Sequence, residues 1–503
     1  MGINSILNNA STALLAQQVA INVTGQNISN VNTEGYSRQR VALESGPSTT
    51  HNVTPLGNGV HVASIQRLYD AVINNQINSG NSSLGNSDAR LKALQQLEPY
   101  VNELAGNSLG DALQKFSDAW QALSLNPSGA AERQTILGRA TIVTDTFHQL
   151  NDGIRNVQDY AESSIQGTTA DISTKAREIA SLNIQIRQTE LVSGNANEVR
   201  DQRDILLKDL SKIAAVTYSE EADGTMTVKL PGGETLVSGA QYAQVYANKV
   251  TNTTNPNLPA TVSEIRVTPL GFSPTTPNPA TDKNISGSIG GPDNSMGVIG
   301  GLLYIRDTGM PAYLAKLDET AYNFAQMVNT QHAAGWTLNG TTGVNFFNPA
   351  TATAPPATLA NFAGYSSSDT TRGIRLAISS TSDIAAADTN PLTGGVGNNR
   401  NALLMAQLGG NQVTFSDGTR SSVALYYSSI VATVGVDVQS AKNRTSQNES
   451  FMLQLGNLRD SVAGVSLDEE LINLTKYQKA YEGASRMVNV ATQMLDTVLN
   501  MLR

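Results

Sequence analysis

Two stripes of apolar residues, one at each end of the chain, recur every seven positions and predict two long helices. The first stripe consists of Leu7, Leu14, Ile21 and Ile28, with Ile3 and Val31 on the adjoining seam. The second consists of Leu467, Leu474, Tyr481, Val488, Leu495 and Leu502, with Leu471 beside it. A seven-residue repeat is typical of helices that pack against one another. Either stripe alone is also typical of an ordinary surface helix, but the matched pair favours a terminal coiled coil of residues 3–31 and 467–502.

The two predicted helices differ in the polar residues around their stripes. Residues 1–33 contain no charged side chain, and their polar face consists of Asn, Gln, Ser and Thr. Such a face solubilises poorly but hydrogen-bonds well, which suits close packing against neighbouring copies. The second helix has a defined start, because Ser466 and Glu469 have the spacing of a capping box. We expect both ends to be loosely ordered in the single chain and to order on assembly.

Between the ends, helical and strand-like spacings alternate. Apolar intervals of three and four predict a long antiparallel helical body up to residue 212, and helices again at 302–328 and 401–459. Alternating residues around Pro231-Gly232-Gly233 predict a β hairpin, and turn-rich sequence continues to residue 299. A second strand-like stretch is formed by Ile374, Leu376 and Ile378. The predicted fold class is therefore mainly α with inserted β domains.

This alternation predicts three units nested within one another. The terminal coiled-coil domain takes residues 1–48 and 463–503. A helical core domain takes residues 49–212, 300–335 and 400–462, and an outer β-rich domain takes residues 213–299 and 336–399. Because the first half of each unit pairs with its last half, both chain ends are expected on the same side of the molecule.

Composition narrows the class of function. The 503 residues carry a formal net charge of −9 without a Lys/Arg cluster, which argues against nucleic-acid binding. Cysteine is absent, which excludes thiolate catalysis and cysteine-based metal sites. No stretch approaches 18 apolar residues, so the sequence predicts no membrane contact through a spanning helix. The first twelve residues also lack the basic and apolar regions of a cleaved secretion signal, so an exported protein of this kind needs another route.

The candidates for catalysis are few, and each has a structural explanation. The four histidines, at positions 51, 61, 148 and 332, share no metal-binding spacing. Residues 106–110 match a nucleophile elbow, but helical residues precede them, so we interpret Ser108 as a helix cap with Asp111 three positions on. Charges between Glu198 and Asp204 alternate at helical spacing, as on a salt-bridged helix surface. The sequence therefore predicts a non-enzymatic protein without cofactor or metal.

One segment at the end of the first predicted helix carries a family signature. Residues 27–36 read Asn-Ile-Ser-Asn-Val-Asn-Thr-Glu-Gly-Tyr, and Ser37-Arg38-Gln39 follows. The segment resembles the bacterial flagellar axial proteins of the rod and hook, through Asn27, Asn30, Asn32, Thr33, Gly35 and Tyr36. The continuation with Arg38 and Gln39 is similar to the branch of that family found at the hook–filament junction. Further similar blocks follow in the same order, at residues 59–67, 201–207, 231–237, 328–340, 399–403 and 464–470.

The resemblance implies a structural part of the bacterial flagellum that connects the hook to the filament. Expected partners are copies of the same chain in a ring, the hook protein on one side and the second hook–filament junction protein on the other. The resemblance also implies type III export to the cell exterior, and a flagellar export chaperone that binds the apolar stripe of the C-terminal helix. No nucleic acid or membrane is among the expected partners.

Two alternatives stay open from the sequence. Another axial protein (hook, rod or second junction protein) would share both ends, although the chain length and the helical body before residue 210 disfavour it. A secreted adhesin or enzyme carried on the β insert would need a cluster of ionisable or aromatic residues there, and the insert has none.

Overall fold

Helices form most of the computed structural model, which describes residues 3–46, 49–51, 54–56, 59–101, 108–253, 255–272, 276–289, 296–348, 363 and 373–501. The described helices are α1 (Ile3–Ser29), α2 (Ala71–Val101), α3 (Leu109–Leu125), α4 (Ala130–Ser193), α5 (Asn197–Ile213), α6 (Ser286–Ile289), α7 (Gly297–Tyr304), α8 (Met310–Ala334), α9 (Pro391–Gly394), α10 (Arg400–Gln407), α11 (Val423–Ala463) and α12 (Leu467–Met501). None of them is long and apolar enough to cross a membrane. The predicted fold class, with its two terminal helices, is confirmed.

The described strands are short and form small antiparallel sheets. They are β1 (Gln39–Ser45), β2 (Thr49–His51), β3 (Thr54–Leu56), β4 (Val60–Arg67), β5 (Thr217–Glu220), β6 (Met226–Lys229), β7 (Thr235–Ser238), β8 (Gln241–Tyr242), β9 (Val245–Thr251), β10 (Thr261–Val267), β11 (Lys283–Asn284), β12 (Val413–Thr414) and β13 (Arg420–Ser421). The hairpin predicted around residue 231 is the pair β6–β7.

Helix α4 is the scaffold of the helical body. Its 64 residues span about 96 Å at 1.5 Å per residue. The apolar residues spaced by three and four along it are buried, as the sequence predicts, and they include Ile136, Ala140, Val143, Phe147, Leu150, Ile154, Val157, Ala161, Ile165, Ile172, Ala176, Ile179 and Ile186. Helix α3 packs against α4, and Ser108 caps it as predicted, with Oγ accepting from the Asp111 N–H at 3.1 Å.

Two small sheets lie against the C-terminal half of α4. Their strand orders are β5-β6-β7-β8 and β11-β10-β9. Asn183 of α4 donates to the carbonyls of Met226 and Gly239 at 2.9 and 2.8 Å. Ser173, ten residues earlier, hydrogen-bonds both the N–H and the C=O of Val245. Polar side chains of one helix therefore supply the hydrogen bonds that attach both sheets.

The described residues between 336 and 399 form no strand and are held in place by other contacts. The strand predicted from Ile374, Leu376 and Ile378 is wrong, since Leu376 makes only an isolated bridge to Phe347. Two backbone bonds form this bridge, from the Asn348 N–H to the Arg375 carbonyl at 2.9 Å and from the Ala377 N–H to the Phe346 carbonyl at 2.8 Å, and buried side chains bond the backbone beyond it. Arg133 donates to the carbonyls of Thr381 and Ile384, at 3.1 and 2.7 Å. This segment attaches near the N-terminal half of α4, away from the two sheets, and the division into three domains stays a prediction.

A two-stranded ribbon covers α1. Strand β1 pairs antiparallel with β4, with Gln39 opposite Arg67, and both strands contact α1. Near the far end of the ribbon, Gly59 has φ +81°, and a Cβ there would collide with the Thr12 hydroxyl of α1. Glycine is therefore required at this close approach. The predicted boundary at residue 48 falls inside the ribbon and separates β1 from its partner β4.

Candidate assembly site at the chain termini

The two terminal helices lie side by side and antiparallel. Asn27, near the end of α1, donates to Oε2 of Glu470, near the start of α12, at 3.2 Å. From that point the two helices stay in contact, as the sequence predicts. The side chains buried within the terminal unit are mostly small, which allows a close approach of the backbones. On α1 and α12 they include Ala10, Ala16, Ala20, Val23, Ala484 and Ala491.

The predicted apolar stripes lie beside this buried seam, not on it. On α1 the residues Leu7, Leu14, Ile21, Ile28 and, just after the helix, Val31 are half-buried. On α12 the half-buried members are Leu474, Val488 and Leu495, whereas Leu467, Leu471 and Tyr481 are exposed. On α12 the buried residues Glu470, Ala484 and Ala491 are also separated by multiples of seven, so the predicted stripe has the right period but lies three positions from the line of contact. The Ile3 side chain and Leu502 lie outside the described residues.

Helix α12 keeps many large apolar side chains in solvent. Leu471 is 53% exposed, Met494 is 48% exposed and Leu499 is 56% exposed. The other exposed members are Leu467, Ile472, Tyr481, Met487, Val490, Val498 and Met501. Scattered exposed apolar residues are ordinary, but a dense set on one helix marks an interaction surface. The arrangement therefore leaves α12 as a helix that is paired on one side and unpartnered elsewhere.

Asn27 lies where the paired helices α1 and α12 meet the rest of the chain. We call this region, formed by Asn27, residues 35–39 and their partners, the joint. The Asn27 side chain is buried and uses both ends of the amide. The Nδ2 group donates to the Gln39 carbonyl at 2.9 Å and to Glu470, and Oδ1 accepts from the Gln39 N–H at 3.0 Å and from the Tyr36 hydroxyl at 2.9 Å. An amide fits this position because its NH2 group gives two donors beside an acceptor oxygen, whereas a hydroxyl group has a single donor. Burial and the nearby Asp201 charge raise the pKa of Tyr36 to about 12.

Arg38 ties this joint to α12 by charge. Its Nε lies 2.7 Å from Oε1 of Glu470, and its Nη1 lies 2.6 Å from Oε2 of Glu469. The Glu470 side chain is only 2% exposed, so its charge depends on this pairing. Burial alone would lower the pKa of the Arg38 guanidinium, but the bonds and charges of Glu469 and Glu470 outweigh it and raise the pKa. Glu469 thus binds Arg38, and not Ser466 of the predicted capping box.

A second set of contacts ties the joint to α5. The Ser37 N–H donates to Asp201 Oδ2 at 2.9 Å, and Arg67 bridges Asp201 and Asp204 at 2.9 and 2.6 Å. Asp201 and Arg203 are buried, so the charges of α5 connect different elements and do not form the predicted salt-bridged surface. The prediction is wrong because sequence spacing cannot reveal partners that other elements supply.

The backbone of the joint is shaped by Gly35. Its φ of +79° lies in the left-handed region, and a Cβ there would collide with Ile205 of α5. From α11, Arg459 donates to the Gly35 and Tyr36 carbonyls at 3.2 and 3.3 Å. The joint is therefore held by α1, α5, α11 and α12 together.

The residues of the family signature divide into two groups. Asn27, Tyr36, Arg38 and Gln39 point into the joint, where the Gln39 Oε1 accepts from Asn197 at 3.3 Å. Asn30, Asn32 and Thr33 line an open cleft of about 560 Å³ beside residues 459–469, and Tyr36 and Arg38 border the same cleft. Within this outer group, Thr33 donates to Asn30 Oδ1 at 3.1 Å.

Sequence reasoning did not select four residues that hold the joint: Arg67, Asp201, Arg459 and Glu470. A signal existed for Glu470, because it stands in seven-residue register with Tyr477, Ala484 and Ala491. A carboxylate at a seam position predicts a buried partner. Arg67 and Asp201 lie in two of the family-like blocks, 59–67 and 201–207, but nothing in the sequence shows that they contact each other, and Arg459 lies in no such block.

The two histidines of the helical body, His332 and His148, have structural partners. His332 is buried, with Nδ1 2.7 Å from the Val344 carbonyl and Nε2 accepting from the Ala385 N–H at 2.9 Å. His148 lies 3.0 Å from the Ile374 carbonyl. Within the part of the chain that the structure describes, no group of three His, Asp or Glu residues is placed to hold a metal ion.

Comparisons with known families match the two ends separately. The family "Flagella basal body rod protein" matches residues 7–36, which are α1 and the joint turn. The family "Flagellar basal body rod FlgEFG protein C-terminal" matches residues 459–501, which are α12 and the turn before it. The paired terminal helices and their joint thus define an axial structural protein of the bacterial flagellum.

The middle of the chain identifies the family within that class. The family "Flagellar hook-associated protein FlgK helical domain" matches residues 94–347. Flagellar hook-associated protein 1 of Bacillus subtilis is 30% identical over 522 residues, covering 98% of this chain and 97% of the relative. The Escherichia coli protein of the same name is 26% identical over 569 residues, covering 99% and 100%. The chain belongs to the flagellar hook-associated protein 1 family.

A solved structure shares the fold. The flagellar hook junction protein FlgK from Burkholderia pseudomallei superposes with a TM-score of 0.63 at 18% sequence identity. The match covers 77% of this chain and all of the other. The alternative of a hook, rod or second junction protein is not favoured, because the rod families match only the ends.

Proposed function

We propose that the chain is a non-enzymatic adaptor that assembles through α1 and α12 into the junction between the flagellar hook and filament. The observation that carries the proposal is the exposed apolar surface of α12, on a helix whose other side is already paired with α1. Burying one such side chain contributes on the order of 1–2 kcal/mol. A ring of copies would add these small contributions without any covalent link.

The residues proposed for the assembly interface are the two predicted stripes. The exposed members are Leu467, Leu471 and Tyr481. Their side chains are uncovered in the single chain and can therefore contact a neighbouring copy. The half-buried members, among them Leu14 and Leu474, would contribute their free edges. The uncharged polar residues of α1 favour the same role, since no charge has to lose water when copies pack closely.

The joint gives the assembled chain its mechanical role. Contacts from four helices hold residues 35–39, so a load on the terminal pair passes into the helical body. We propose that one end of the ring meets the hook protein and the other meets the second junction protein, as expected from the family. Export to the cell exterior by the flagellar type III route, with a chaperone on the α12 stripe, belongs to the same proposal.

The test compares two Leu→Asp substitutions at exposed positions on different helices. Leu471→Asp places a charge on α12, and Leu453→Asp places the same charge on α11, where Leu453 is 70% exposed. Both variants are introduced into cells that lack the chain, and motility and the labelled junction are scored. Leu471→Asp is expected to abolish motility, while Leu453→Asp restores it. Both monomers should melt like the parent, since exposed substitutions cost about 0.5 kcal/mol or less.

Export is the control for this experiment. A chain that leaves the cell but cannot assemble accumulates in the medium, so the amount of secreted Leu471→Asp chain separates assembly from export. Full motility of the Leu471→Asp cells would contradict the proposed role of α12. An equal loss with Leu453→Asp would show that the effect is not specific to the terminal helices.

A further inference from the structure

We propose that Arg90 and Arg444 form a binding niche for an oxyanion, a carboxylate or a phosphate group, that comes from outside the chain. The niche lies on the helical body, where α2, α11 and the end of α7 meet. Its third member is the ring of Tyr304, the last residue of α7. We call these three residues the arginine niche. It contains no residue of α1 or α12, so it is separate from the proposed assembly surface.

Arg90 is a charged side chain without a counter-charge. Its guanidinium lies over the Tyr304 ring, with Cζ 3.8 Å from the ring centroid. Its Nε is shielded from solvent and has no hydrogen-bond partner. Burial lowers the pKa of Arg90, Tyr304 raises it in part, and the nearby charge of Arg444 lowers it further. Buried charges are normally paired, so a half-buried arginine that faces a second cation instead of a carboxylate is an exception.

Arg444 reaches the same place from α11, which packs antiparallel to α2. Asn448 fixes the register of the two helices, because its amide donates to the Ser83 carbonyl at 3.1 Å and to the Ser87 hydroxyl at 3.0 Å. Arg444 comes one helical turn before Asn448. Arg90 comes about one turn after Ser87, so the two arginines meet across the helix pair. Arg444 is exposed, so the niche is open to solvent on this side.

The acidic residues nearest in sequence are engaged by other groups. Their partners are Lys92 for Asp88 at 2.8 Å, Arg306 for Asp307 at 2.6 Å, and the Tyr313 hydroxyl for Asp437. Glu449 comes five positions after Arg444, which places it about 140° around α11 from that residue. Among the described residues, therefore, no carboxylate pairs with either arginine of the niche.

The two arginines destabilise the single chain, because like charges repel and no described carboxylate offsets them. Such a departure from ordinary pairing is expected at a functional position, where the partner is a ligand. Guanidinium groups present N–H donors in a rigid planar fork that matches the oxygens of a carboxylate or phosphate. An oxyanion between Arg90 and Arg444 would accept from both and cancel the repulsion. The stacked Tyr304 ring restrains Arg90, so less side-chain freedom is lost on binding.

The first arm of the test uses inorganic phosphate as a free oxyanion. The purified full-length chain is melted at rising phosphate concentration, with chloride at equal ionic strength as the reference. The parent should show a saturable rise in Tm, because a ligand that binds only the folded state stabilises it. Arg444→Gln should weaken the apparent phosphate affinity about tenfold or more, since a charge-assisted hydrogen bond is lost.

Lys442→Gln is the matched control for this arm. It removes one positive charge from the same helix at an exposed position, about 160° around α11 from Arg444. It should keep the parent affinity for phosphate. In chloride alone, Arg444→Gln should melt at or above the parent temperature, because the repulsion on Arg90 is removed. A lower Tm in chloride would show that Arg444 has a structural role, and it would overturn the inference.

The second arm tests for a carboxylate side chain of a neighbouring chain. In flagella isolated from cells that carry Arg444→Lys, a water-soluble carbodiimide joins the new amine to a carboxylate in direct contact, and the carbodiimide takes up the water that is lost. Mass spectrometry should then find residue 444 linked to an Asp or Glu of another chain. The natural Lys442 is the internal control for unspecific coupling, and its linkage to the same carboxylate at equal yield would contradict a contact at residue 444.

The two arms separate the two sources of the oxyanion. A phosphate response without a cross-link assigns the niche to a free oxyanion, and a cross-link at residue 444 assigns it to a neighbouring carboxylate. The inference is overturned when Arg444→Gln and the parent respond equally to phosphate and residue 444 links to no carboxylate. Neither arm changes α12, so the motility of Leu471→Asp cells tests the proposed function separately.

Discussion

Arg38 and Glu470 form an ion pair, with 2.7 Å between Nε and Oε1, although 432 positions separate them along the chain. The pair joins the end of the N-terminal helix to the start of the C-terminal one. It buries one carboxylate almost completely and leaves the other partner of Arg38, Glu469, in solvent. The signature at the end of α1 therefore acts, in this structure, through contacts inside one chain.

Replacement of Arg38 by Ala should loosen the terminal unit. Glu470 would keep only the Asn27 amide as a partner, and an unpaired buried carboxylate costs about 3–5 kcal/mol. We expect faster backbone hydrogen exchange in α1 and α12, measured by mass spectrometry, while α4 stays protected. Arg38→Lys should restore only part of the protection. Lysine keeps the positive charge, but it cannot hold two carboxylates with a planar fork.

The control for this prediction is an exposed pair on α12. Lys479 contacts Glu482 at 3.0 Å, and both side chains lie largely in solvent. Lys479→Ala should leave exchange unchanged, because exposed pairs contribute about 0–1 kcal/mol. Equal exchange rates in the Arg38→Ala and parent chains would contradict the role assigned to the joint.

Enlarging Ala491 should separate the terminal helices. The side chain has no exposed surface, so Ala491→Leu must displace its neighbours at a cost of about 1–3 kcal/mol. Val490→Leu is the matched control, since Val490 is 50% exposed on the same turn. Thermal unfolding followed by circular dichroism should show an earlier transition for Ala491→Leu alone. A parent-like transition in that variant would mean that the described seam is not closely packed.

The free energy of unfolding should decrease as the pH is lowered, because of the buried His332. Burial lowers the pKa of this histidine to about 4, compared with about 6.5 in an unfolded chain. Between these two values the unfolded chain binds a proton that the folded chain does not, so the folded state loses stability as the pH falls from 6.5 toward 4. The loss approaches about 3 kcal/mol once the pH is below 4.

The variant His332→Gln isolates this contribution from the carboxylates that titrate in the same range. The variant should be less stable than the parent at pH 7, and the difference should narrow by up to about 3 kcal/mol at pH 4. Urea unfolding of the variant and the parent at pH 7 and at pH 4 measures this difference in the free energy of unfolding. His61→Gln, at an exposed histidine, should change the free energy of unfolding by about 0.5 kcal/mol or less at either pH. A constant His332→Gln difference would contradict the assignment.

Regular spacing made the long elements predictable. Residues such as Ile136, Phe147 and Ile172 recur at helical intervals, and all are buried along α4. The same reasoning found both terminal helices but misplaced their contact line. A stripe of large residues is conspicuous in a sequence, whereas the residues buried between the helices are alanines that no pattern distinguishes from a polar-face alanine.

The joint and the segment after residue 336 depend on contacts between distant residues, which the spacing of residues along the sequence does not reveal. The Asp201 carboxylate is satisfied by Arg67 and by the Ser37 N–H, which come from other elements. Likewise Arg133 supplies donors to the backbone carbonyls of Thr381 and Ile384, 248 and 251 positions away, while residues 346–348 bond the backbone of 375–377. Such contacts are set by the fold and leave no local periodicity.

The distance along the chain between Arg38 and Glu470 has a consequence for timing. Loops that are hundreds of residues long close late, after nearby segments have folded. The helical body can form while either end is still missing, but the ion pair needs both. The joint therefore closes only in a chain that has both of its ends. A chain that has lost either end cannot form this ion pair, so its remaining terminal helix loses the contact that fixes it to the other end.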